Sequence, residues 1–204
     1  MGGVGGMQRG APLPRHTGKR VIAIGASTGG TEAIFRVLRD LPADLPCIVV
    51  VQHMPGEFTG MFADRLNAAC AFPVREARNG DRVAPSAAFV APGGFQLRVS
   101  RTSDALGLSV APGGKVSGHC PSVDVLFSSV AASVGANAIG VILTGMGSDG
   151  ANGLLEMRRA GAQTVGQDKA TSIVYGMPKA AYDVGAVACQ LPIGQIAEKI
   201  VSLL

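Results

Sequence analysis

Short apolar runs alternate with stretches of helical periodicity along most of the chain. The runs Val21–Ile24, Cys47–Val51 and Ala138–Leu143 are short and rich in β-branched residues, which is typical of buried parallel strands. Segments such as Ala33–Leu41 instead repeat their apolar residues at the spacing of an amphipathic helix. The alternation predicts an α/β fold, with a doubly wound, mostly parallel sheet and helices on both of its faces.

The same two patterns predict most of the remaining elements. Further helices are predicted over Phe58–Ala71, Val123–Val134, Leu154–Ala160, Pro178–Val184 and Ile193–Leu204, and further strands over Gln163–Gly166 and Ala186–Gln190. The middle of the chain lacks a convincing helical period. Its short extended segments are separated by turn residues and lie at Val74–Ala77, Ala88–Ala91, Gln96–Ser100 and Leu106–Val110. We therefore predict a β-hairpin-rich insertion in the α/β body.

The composition supports one folded unit that follows a short irregular segment. The chain has 204 residues, and 47% of them are hydrophobic, which is enough for a substantial core. Residues 1–20 are rich in Gly, Pro and Arg and show no apolar period. We interpret residues 1–20 as a flexible linker or a vector-derived remnant and residues 21–204 as the folded domain.

Charge and cysteine content exclude several classes of protein. The formal net charge of +4 is small, and no run of Lys and Arg is long enough for a nucleic-acid site. The cysteines lack metal-ligand spacing, so we predict neither a zinc site nor a disulfide framework at Cys47, Cys70, Cys120 and Cys189. No apolar run has the length of a membrane span, and no secretory signal is present. We expect a cytoplasmic protein without membrane insertion.

The first predicted strand runs into the sequence GASTGG, at residues 25–30. Its Gly-x-Ser-x-Gly spacing suits a sharp strand-to-helix turn that exposes the Ser27 hydroxyl at the end of the strand. The next helix would direct unpaired N–H groups into the same space, which favours negative charge there. A phosphate-binding glycine loop has the same composition, and this stretch alone does not separate the two interpretations.

Three polar residues follow predicted strands at the same end of each strand. Ser27 follows the first strand, His53 the second, and Asp149 the strand Ala138–Leu143. The carboxyl ends of parallel strands meet at one edge of a sheet, where α/β proteins bind their ligands. A serine hydroxyl becomes a nucleophile when an imidazole, of ordinary pKa ~6.5, takes its proton and a carboxylate orients that imidazole. We therefore hypothesise that these three residues act together.

Members of this set have alternative interpretations. His53 can be a packed histidine beneath a loop, and His119, in the irregular loop Gly113–Pro121, is a competing base. Asp149 can instead cap the helix that begins near Ala151, since Asp is favoured at that position. Other carboxylates are available at Asp124, Asp168 and Asp183.

Five motifs occur in order over about residues 20–204, and they read GASTGG, VVQHMP, PSVDVLF, LTGMGSDGANG and YGMPKAA. Together they resemble the catalytic domain of the chemotaxis protein-glutamate methylesterase family. The resemblance implies a catalytic triad of Ser27, His53 and Asp149. It also implies hydrolysis of γ-glutamyl methyl esters on the cytoplasmic helices of chemoreceptors, with release of methanol, and deamidation of particular receptor glutamines. Full-length members carry an N-terminal receiver domain, which we expect to be missing here.

Further expectations about the site accompany this assignment. We expect backbone N–H groups of Thr28 and Met146 to hold the oxyanion, and we expect no cofactor and no metal ion. Two residues depart from the family pattern, with Cys120 in place of an expected Arg and Lys169 in place of a usual acidic residue. An Arg binds carboxylates through two parallel hydrogen bonds, so its replacement by Cys affects substrate positioning.

Two other functions remain open from the sequence. One is a nucleotide- or phosphate-binding enzyme in which Ser27 and the Gly145–Gly150 loop hold anions, although the chain has no Gly-Lys-Ser/Thr loop. The other is a non-catalytic receptor-binding module that has kept the site by descent. Nucleotide binding and covalent labelling of Ser27 would separate both from a hydrolase.

Overall fold

A parallel sheet forms the centre of the computed structural model, which describes residues 21–102 and 105–204. The predicted linker over residues 1–20 lies outside the described residues. The strands are β1 (Val21–Ala26), β2 (Cys47–Gln52), β3 (Val74–Glu76), β4 (Ala88–Val90), β5 (Phe95–Arg101), β6 (Leu106–Pro112), β7 (Ala138–Ile142), β8 (Gln163–Gln167) and β9 (Cys189–Leu191). The helices are α1 (Gly30–Arg39), α2 (Gly56–Asn67), α3 (Val123–Ser133), α4 (Ala151–Arg159), α5 (Met177–Asp183) and α6 (Ile193–Ser202), with a 3₁₀ turn at Gly135–Asn137.

The strand order in the main sheet is β3-β4-β2-β1-β7-β8-β9, and every neighbouring pair is parallel. The predicted doubly wound fold is confirmed. The predicted middle region is corrected, because β3 and β4 are parallel strands of this sheet rather than hairpin strands. Among the strands of the described residues, only β5 and β6 form an antiparallel hairpin. The chain returns from β3 to β4 without a helix, so the helical signal that marks a parallel crossover was missing.

The two faces of the sheet are buried against different helices. Along β1, Val21 and Ala23 belong to one apolar cluster, whereas Ile22 and Ile24 belong to the other. The first cluster packs against α3, α4, α5 and the β5–β6 hairpin, and the second against α1, α2 and α6. Burial on both faces explains why the strand sequences are continuous apolar runs rather than alternating ones.

The strand order reverses direction at β1, because the chain leaves β1 for β2 on one side and returns later as β7 on the other. This switch point is where an open α/β sheet leaves a crevice at the carboxyl ends of its strands. The loops that follow β1, β2 and β7 all lie at that edge. None of the helices in the described part of the chain has the length and apolar character needed to cross a bilayer.

Candidate active site

Ser27 lies in the tight turn between β1 and α1. Its N–H donates to the Thr144 carbonyl at 3.0 Å, and its own carbonyl accepts from Gly30 N–H at 2.7 Å. Gly29 has a φ of 79°, a left-handed conformation that the turn requires and that favours glycine. Gly145 packs directly against the turn, since a Cβ placed there would lie 2.8 Å from the Cβ of Ser27. These contacts fix the backbone of Ser27 at the edge of the sheet.

His53 lies beside Ser27 because the two residues follow paired positions on neighbouring strands. Ala26 of β1 is in register with Gln52 of β2, and His53 N–H donates to the Ala26 carbonyl at 3.1 Å. The Gln52 side chain joins the two loops, with its Nε2 donating to the Ser27 carbonyl at 2.9 Å and to the His53 carbonyl at 3.1 Å. Gln52 was not predicted as a site residue, although a polar residue that continues the apolar β2 run was a usable signal.

Asp149 is buried and accepts four hydrogen bonds. Its Oδ2 accepts from His53 Nε2 at 2.8 Å and from Val123 N–H at 2.7 Å. Its Oδ1 accepts from the Ser122 hydroxyl at 2.7 Å and from Asp124 N–H at 3.0 Å. The carboxylate is therefore held at the N-terminus of α3, where orphan N–H groups and the helix dipole favour a negative charge. Ser122, which the sequence analysis also missed, is the N-cap of that helix.

The alternative that Asp149 caps α4 is wrong. The N-cap of α4 is Gly150, which has a φ of 91° and forms no side-chain cap. That left-handed residue separates Asp149 from the helix that follows it in sequence. The carboxylate instead binds the helix on the far side of the loop, a contact that local sequence preferences do not encode.

The protonation of the pair follows from the environment of Asp149. Burial alone would raise the pKa of this carboxyl, but hydrogen bonds from His53, the Asp124 and Val123 amides and the Ser122 hydroxyl outweigh it and lower the pKa below 3.8. An ionised carboxylate only accepts hydrogen bonds, so His53 Nε2 carries the shared proton. In a neutral imidazole the other nitrogen is then the acceptor. That atom, His53 Nδ1, is buried and has no hydrogen-bond partner in the described part of the protein.

The structure thus unites His53 with Asp149 and places Ser27 in the turn after the neighbouring strand. Within residues 21–102 and 105–204, no hydrogen bond joins the Ser27 hydroxyl to His53. Catalytic hydrogen bonds in ligand-free proteins are commonly long and tighten when substrate binds. A missing bond in the ligand-free protein is therefore compatible with a role of Ser27 beside His53.

Thr28 follows Ser27 in the turn after β1, and Met146 follows Gly145, which packs against that turn. Their backbone N–H groups donate no hydrogen bond to another described residue, so both remain available to a ligand. The Thr28 hydroxyl does not cap α1, whose N-cap is Gly29 without a side-chain bond. The Met146 side chain is not core packing either, since the residue is 70% exposed. Ile173, which the sequence analysis missed, is 75% exposed and lies against Gly29.

His119, the competing base of the irregular loop, lies directly against His53. The two imidazole rings are stacked, with centroids 3.7 Å apart and planes 5° from parallel. His119 Nδ1 lies 2.8 Å from the Ser117 carbonyl and 4.0 Å from Asp149 Oδ2. The competing base is thus a neighbour of the proposed one and belongs to the same site.

The remaining carboxylates that the sequence offered have other partners. Asp124 accepts from Gly153 N–H and from the Ser117 hydroxyl. Burial raises the pKa of Asp124, and the nearby charge of Asp149 raises it further. Two other carboxylates lie outside the site, with Asp168 bonded to Thr171 and Asp183 paired with Lys179 on the surface.

A nitrogen of His53, a nitrogen of His119 and a carboxylate oxygen of Asp149 lie within 4.8 Å of one another, close enough to be compared with a metal site. The lone pair of an imidazole nitrogen lies in the plane of its ring, and the two rings occupy separate parallel planes. One ion cannot lie in both planes while the rings are stacked. The geometry suits hydrogen bonding and stacking better than metal coordination.

Both residues that depart from the expected motifs lie outside the His53–Asp149 pair. Cys120 follows the stacked His119, and its thiol is 3.6 Å from the Gly113 carbonyl. Lys169 is exposed in the turn after β8. Replacement of the expected Arg by Cys120 therefore removes a guanidinium from the loop beside the site. Neither Cys120 nor Lys169 contacts Asp149.

Comparison with known proteins gives consistent matches over the described residues. A family model described as CheB methylesterase matches residues 22–200. A protein-glutamate methylesterase/protein-glutamine glutaminase 2 of Syntrophomonas wolfei is 54% identical over 184 residues, which cover 90% of this chain and 54% of that protein. A Xanthomonas campestris protein of the same name is 52% identical over 199 residues, covering 94% of this chain and 56% of the relative.

The fold has a close counterpart among solved structures. The crystal structure of the Thermotoga maritima CheB methylesterase catalytic domain superposes with a TM-score of 0.89 at 35% identity, covering 92% of this chain and all of that one. The chain spans about half the length of the curated relatives that it matches. The similarity therefore extends over a catalytic domain rather than over the whole length of those relatives.

Proposed function

Because this chain belongs to the CheB methylesterase family, we propose that it is a serine hydrolase that removes methyl groups from γ-glutamyl methyl esters of chemoreceptors. Release of methanol would leave a glutamate on the receptor. The same chemistry applied to a glutamine amide would release ammonia, so we include deamidation of receptor glutamines. The names of the matched relatives, protein-glutamate methylesterase/protein-glutamine glutaminase, support both activities.

The observation that carries this proposal is the state of the His53 ring. Its Nε2 is bound to the buried carboxylate of Asp149, and its Nδ1 is a buried acceptor without a partner. An unpaired buried acceptor is costly in a folded protein and is expected where a ligand or a reacting group completes the site. Ser27 follows the strand beside that of His53, and we propose that its hydroxyl is the missing proton donor.

In the first half of the reaction, the Ser27 hydroxyl attacks the ester carbonyl while its proton passes to His53 Nδ1. The ionised Asp149 stabilises the imidazolium that forms. The C–O bond to the methoxy group then breaks, and the proton on Nδ1 leaves with that group as methanol. The glutamyl group remains bonded to Ser27 as an ester.

In the second half, a water molecule gives one proton to His53 Nδ1 and attacks the glutamyl-enzyme. The bond to Ser27 breaks, the serine oxygen takes the proton back, and a receptor glutamate is released. The negative charge that develops on the carbonyl oxygen in both halves needs donors, for which we propose Thr28 N–H and Met146 N–H. Loss of one such donor typically costs about 2.7–4 kcal/mol of activation free energy.

Exposed apolar residues beside the nucleophile support a polypeptide substrate. Ile173 lies against Gly29 of the Ser27 turn, Met146 follows Gly145, which packs on that turn, and both residues are mostly solvent-exposed. An ester on the surface of a receptor helix can reach Ser27 only if the site is open in this way. We therefore propose the cytoplasmic helices of chemoreceptors as partners, a cytoplasmic location, and a receiver domain in the longer family members as a regulator.

The proposal is tested by methanol release from methylated receptor, comparing the wild type with Ser27→Ala. We expect the substitution to leave the fold intact and to reduce turnover by at least about 10³-fold. Ser202→Ala, the same change at an exposed serine of α6, is the matched control and should retain full activity. Near wild-type turnover by Ser27→Ala would refute the serine mechanism.

A fluorophosphonate probe tests the nucleophile without a receptor. We expect covalent labelling at Ser27 in the wild type and none in Ser27→Ala. Receptor binding without methanol release or labelling would favour a non-catalytic module. Submicromolar nucleotide binding by calorimetry would favour the phosphate-binding alternative.

A further inference from the structure

His119 belongs to a tight turn that closes back on itself. Val116 N–H donates to the His119 carbonyl at 3.0 Å, and His119 N–H donates to the Val116 carbonyl at 2.9 Å. The two central residues, Ser117 and Gly118, both have positive φ angles, of 51° and 83°. This is the backbone geometry of a type I′ turn, in which the flanking residues are held in a fixed relation.

Buried polar side chains anchor this turn to the rest of the site. Gln96 is almost fully buried, and its Nε2 donates to the His119 carbonyl at 3.3 Å and to the Gly114 carbonyl at 3.0 Å. Its Oε1 accepts from Ser122 N–H at 2.9 Å, one residue before α3. The Ser117 hydroxyl donates to Asp124 in the first turn of that helix, at 2.9 Å. The turn is thereby fixed to the same helix N-terminus that holds Asp149.

The orientation of the His119 ring is fixed as well. A carbonyl only accepts hydrogen bonds, so His119 Nδ1 carries a proton and donates it to Ser117. The His119 side chain is 36% exposed, whereas the side chains of His53 and Asp149 are 7% and 0% exposed. His119 therefore lies between the buried pair and the solvent.

We propose that His119 is a positioning residue that covers one face of the His53 ring and so holds its Nδ1 in the orientation needed to accept the Ser27 proton. This inference rests on the proposed role of His53 as the base. The terminal torsion of a histidine ring is broad, so the single hydrogen bond at Nε2 leaves the ring free to rock about its attachment. A parallel ring stacked against its face restricts that rocking and shields this face of the ring from solvent.

The ionisable groups nearest His53 are Asp149, His119 and, one contact further out, Asp124. Asp149 contacts His53 from the loop after β7, and His119 contacts it from the turn before α3. Asp124 lies one contact further out, bonded to Ser117 and Gly153. The covering role requires a flat ring at position 119 and does not require its nitrogens, which makes phenylalanine the informative replacement.

The test compares His119→Ala and His119→Phe in hydrolysis of a small soluble ester, p-nitrophenyl acetate. We expect His119→Ala to lower kcat by about 10- to 100-fold with little change in KM, because a misoriented base impairs the chemical step. His119→Phe should recover most of that kcat. Val116→Ala, in the same turn, is the control for a general disturbance of the turn and should act like the wild type.

A spectroscopic measurement gives a second result that needs no turnover. In Ser27→Ala protein, ¹H–¹⁵N spectra at neutral pH report how fast the His53 Nε2 proton exchanges with water. We expect slow exchange with histidine or phenylalanine at position 119 and faster exchange with alanine, because a rocking ring breaks its hydrogen bond to Asp149 more often. The inference is overturned by wild-type kcat in His119→Ala, by His119→Phe that is no better than His119→Ala, or by unchanged exchange of the His53 Nε2 proton in His119→Ala. Failure of the serine mechanism itself appears separately, as activity retained by Ser27→Ala.

Discussion

Replacing Asp149 by Asn tests whether the buried carboxylate organises the site. The carboxylate accepts four hydrogen bonds, two at each oxygen. An Asn side chain of the same shape offers one oxygen, and its NH₂ group is itself a donor. Two of the four donors that surround position 149 would therefore face another donor.

The size of the effect follows from those two lost acceptors. Each buried donor without an acceptor costs about 1–3 kcal/mol. Removing a buried charge recovers part of its desolvation penalty, so we expect a net loss of about 3 kcal/mol in the free energy of unfolding. For a protein of this size, 1 kcal/mol lowers the Tm by about 2–4 °C, which gives a decrease of about 6–12 °C.

The assay is thermal unfolding followed by circular dichroism, at neutral pH and then at lower pH. Hydrogen bonds lower the pKa of Asp149 in the folded protein from 3.8. A lowered pKa contributes stability that is complete above the unfolded value and is lost as the pH falls through the folded value. The Tm difference between the wild type and Asp149→Asn should therefore be constant near neutral pH and shrink below about pH 3.8.

Asp183→Asn is the matched control, because it makes the same chemical change at an exposed ion pair with Lys179. Exposed pairs contribute about 0–1 kcal/mol, so its Tm should stay within a few degrees of the wild type. Asp149→Asn should also lower kcat, by about 10⁴-fold as for the triad carboxylate of serine proteases. The reasoning is refuted if Asp149→Asn unfolds like the control, or if its Tm deficit grows as the pH falls.

Two further predictions concern packing around the site and in the core. Gly145→Ala should reduce esterase activity and destabilise the fold by about 1–3 kcal/mol, because its Cβ would lie 2.2 Å from Met177 Sδ and 2.8 Å from the Ser27 Cβ. Gly114→Ala is the control, because no atom lies within 4 Å of the added Cβ, and it should leave activity and Tm unchanged. Equal behaviour of Gly145→Ala and Gly114→Ala would contradict the packing argument. Burial raises the pKa of the Cys47 thiol to about 12. We therefore expect Cys47 to react with DTNB at pH 8 only after unfolding. Mass spectrometry that finds Cys47 modified in the native protein would argue against its burial.

Much of the fold could be predicted from the sequence because its signals are local. The β1 and β2 runs are apolar throughout because the sheet is covered on both faces. Ser27 could be located at a strand end because the turn requires glycines, and Gly29 does have a positive φ. The family could be predicted because five ordered motifs carry more information than any single one, and the family model and the relatives confirm it. The catalytic assignment of the triad remains a prediction.

Strand pairing in the middle of the chain could not be predicted in the same way. The short runs that became β3 and β4 satisfy the pattern of a hairpin strand and of a parallel edge strand equally well. In the folded protein β4 pairs with β2 on one side and with β3 on the other, and these long-range contacts set the strand direction. A short extended segment does not encode the direction of the strand beside it.

The sequence by itself determined the order of strands and helices, the placement of Ser27, His53 and Asp149 after three strand ends, and the identity of the family. Only the tertiary structure decided what these side chains contact. Asp149 binds the start of α3 instead of capping its own helix, and His119 stacks on His53. Both contacts join segments that are distant in sequence, and such contacts exist only after the sheet and its covering helices have packed. Local periodicity and capping preferences act over a few residues, so these preferences cannot specify contacts between distant segments.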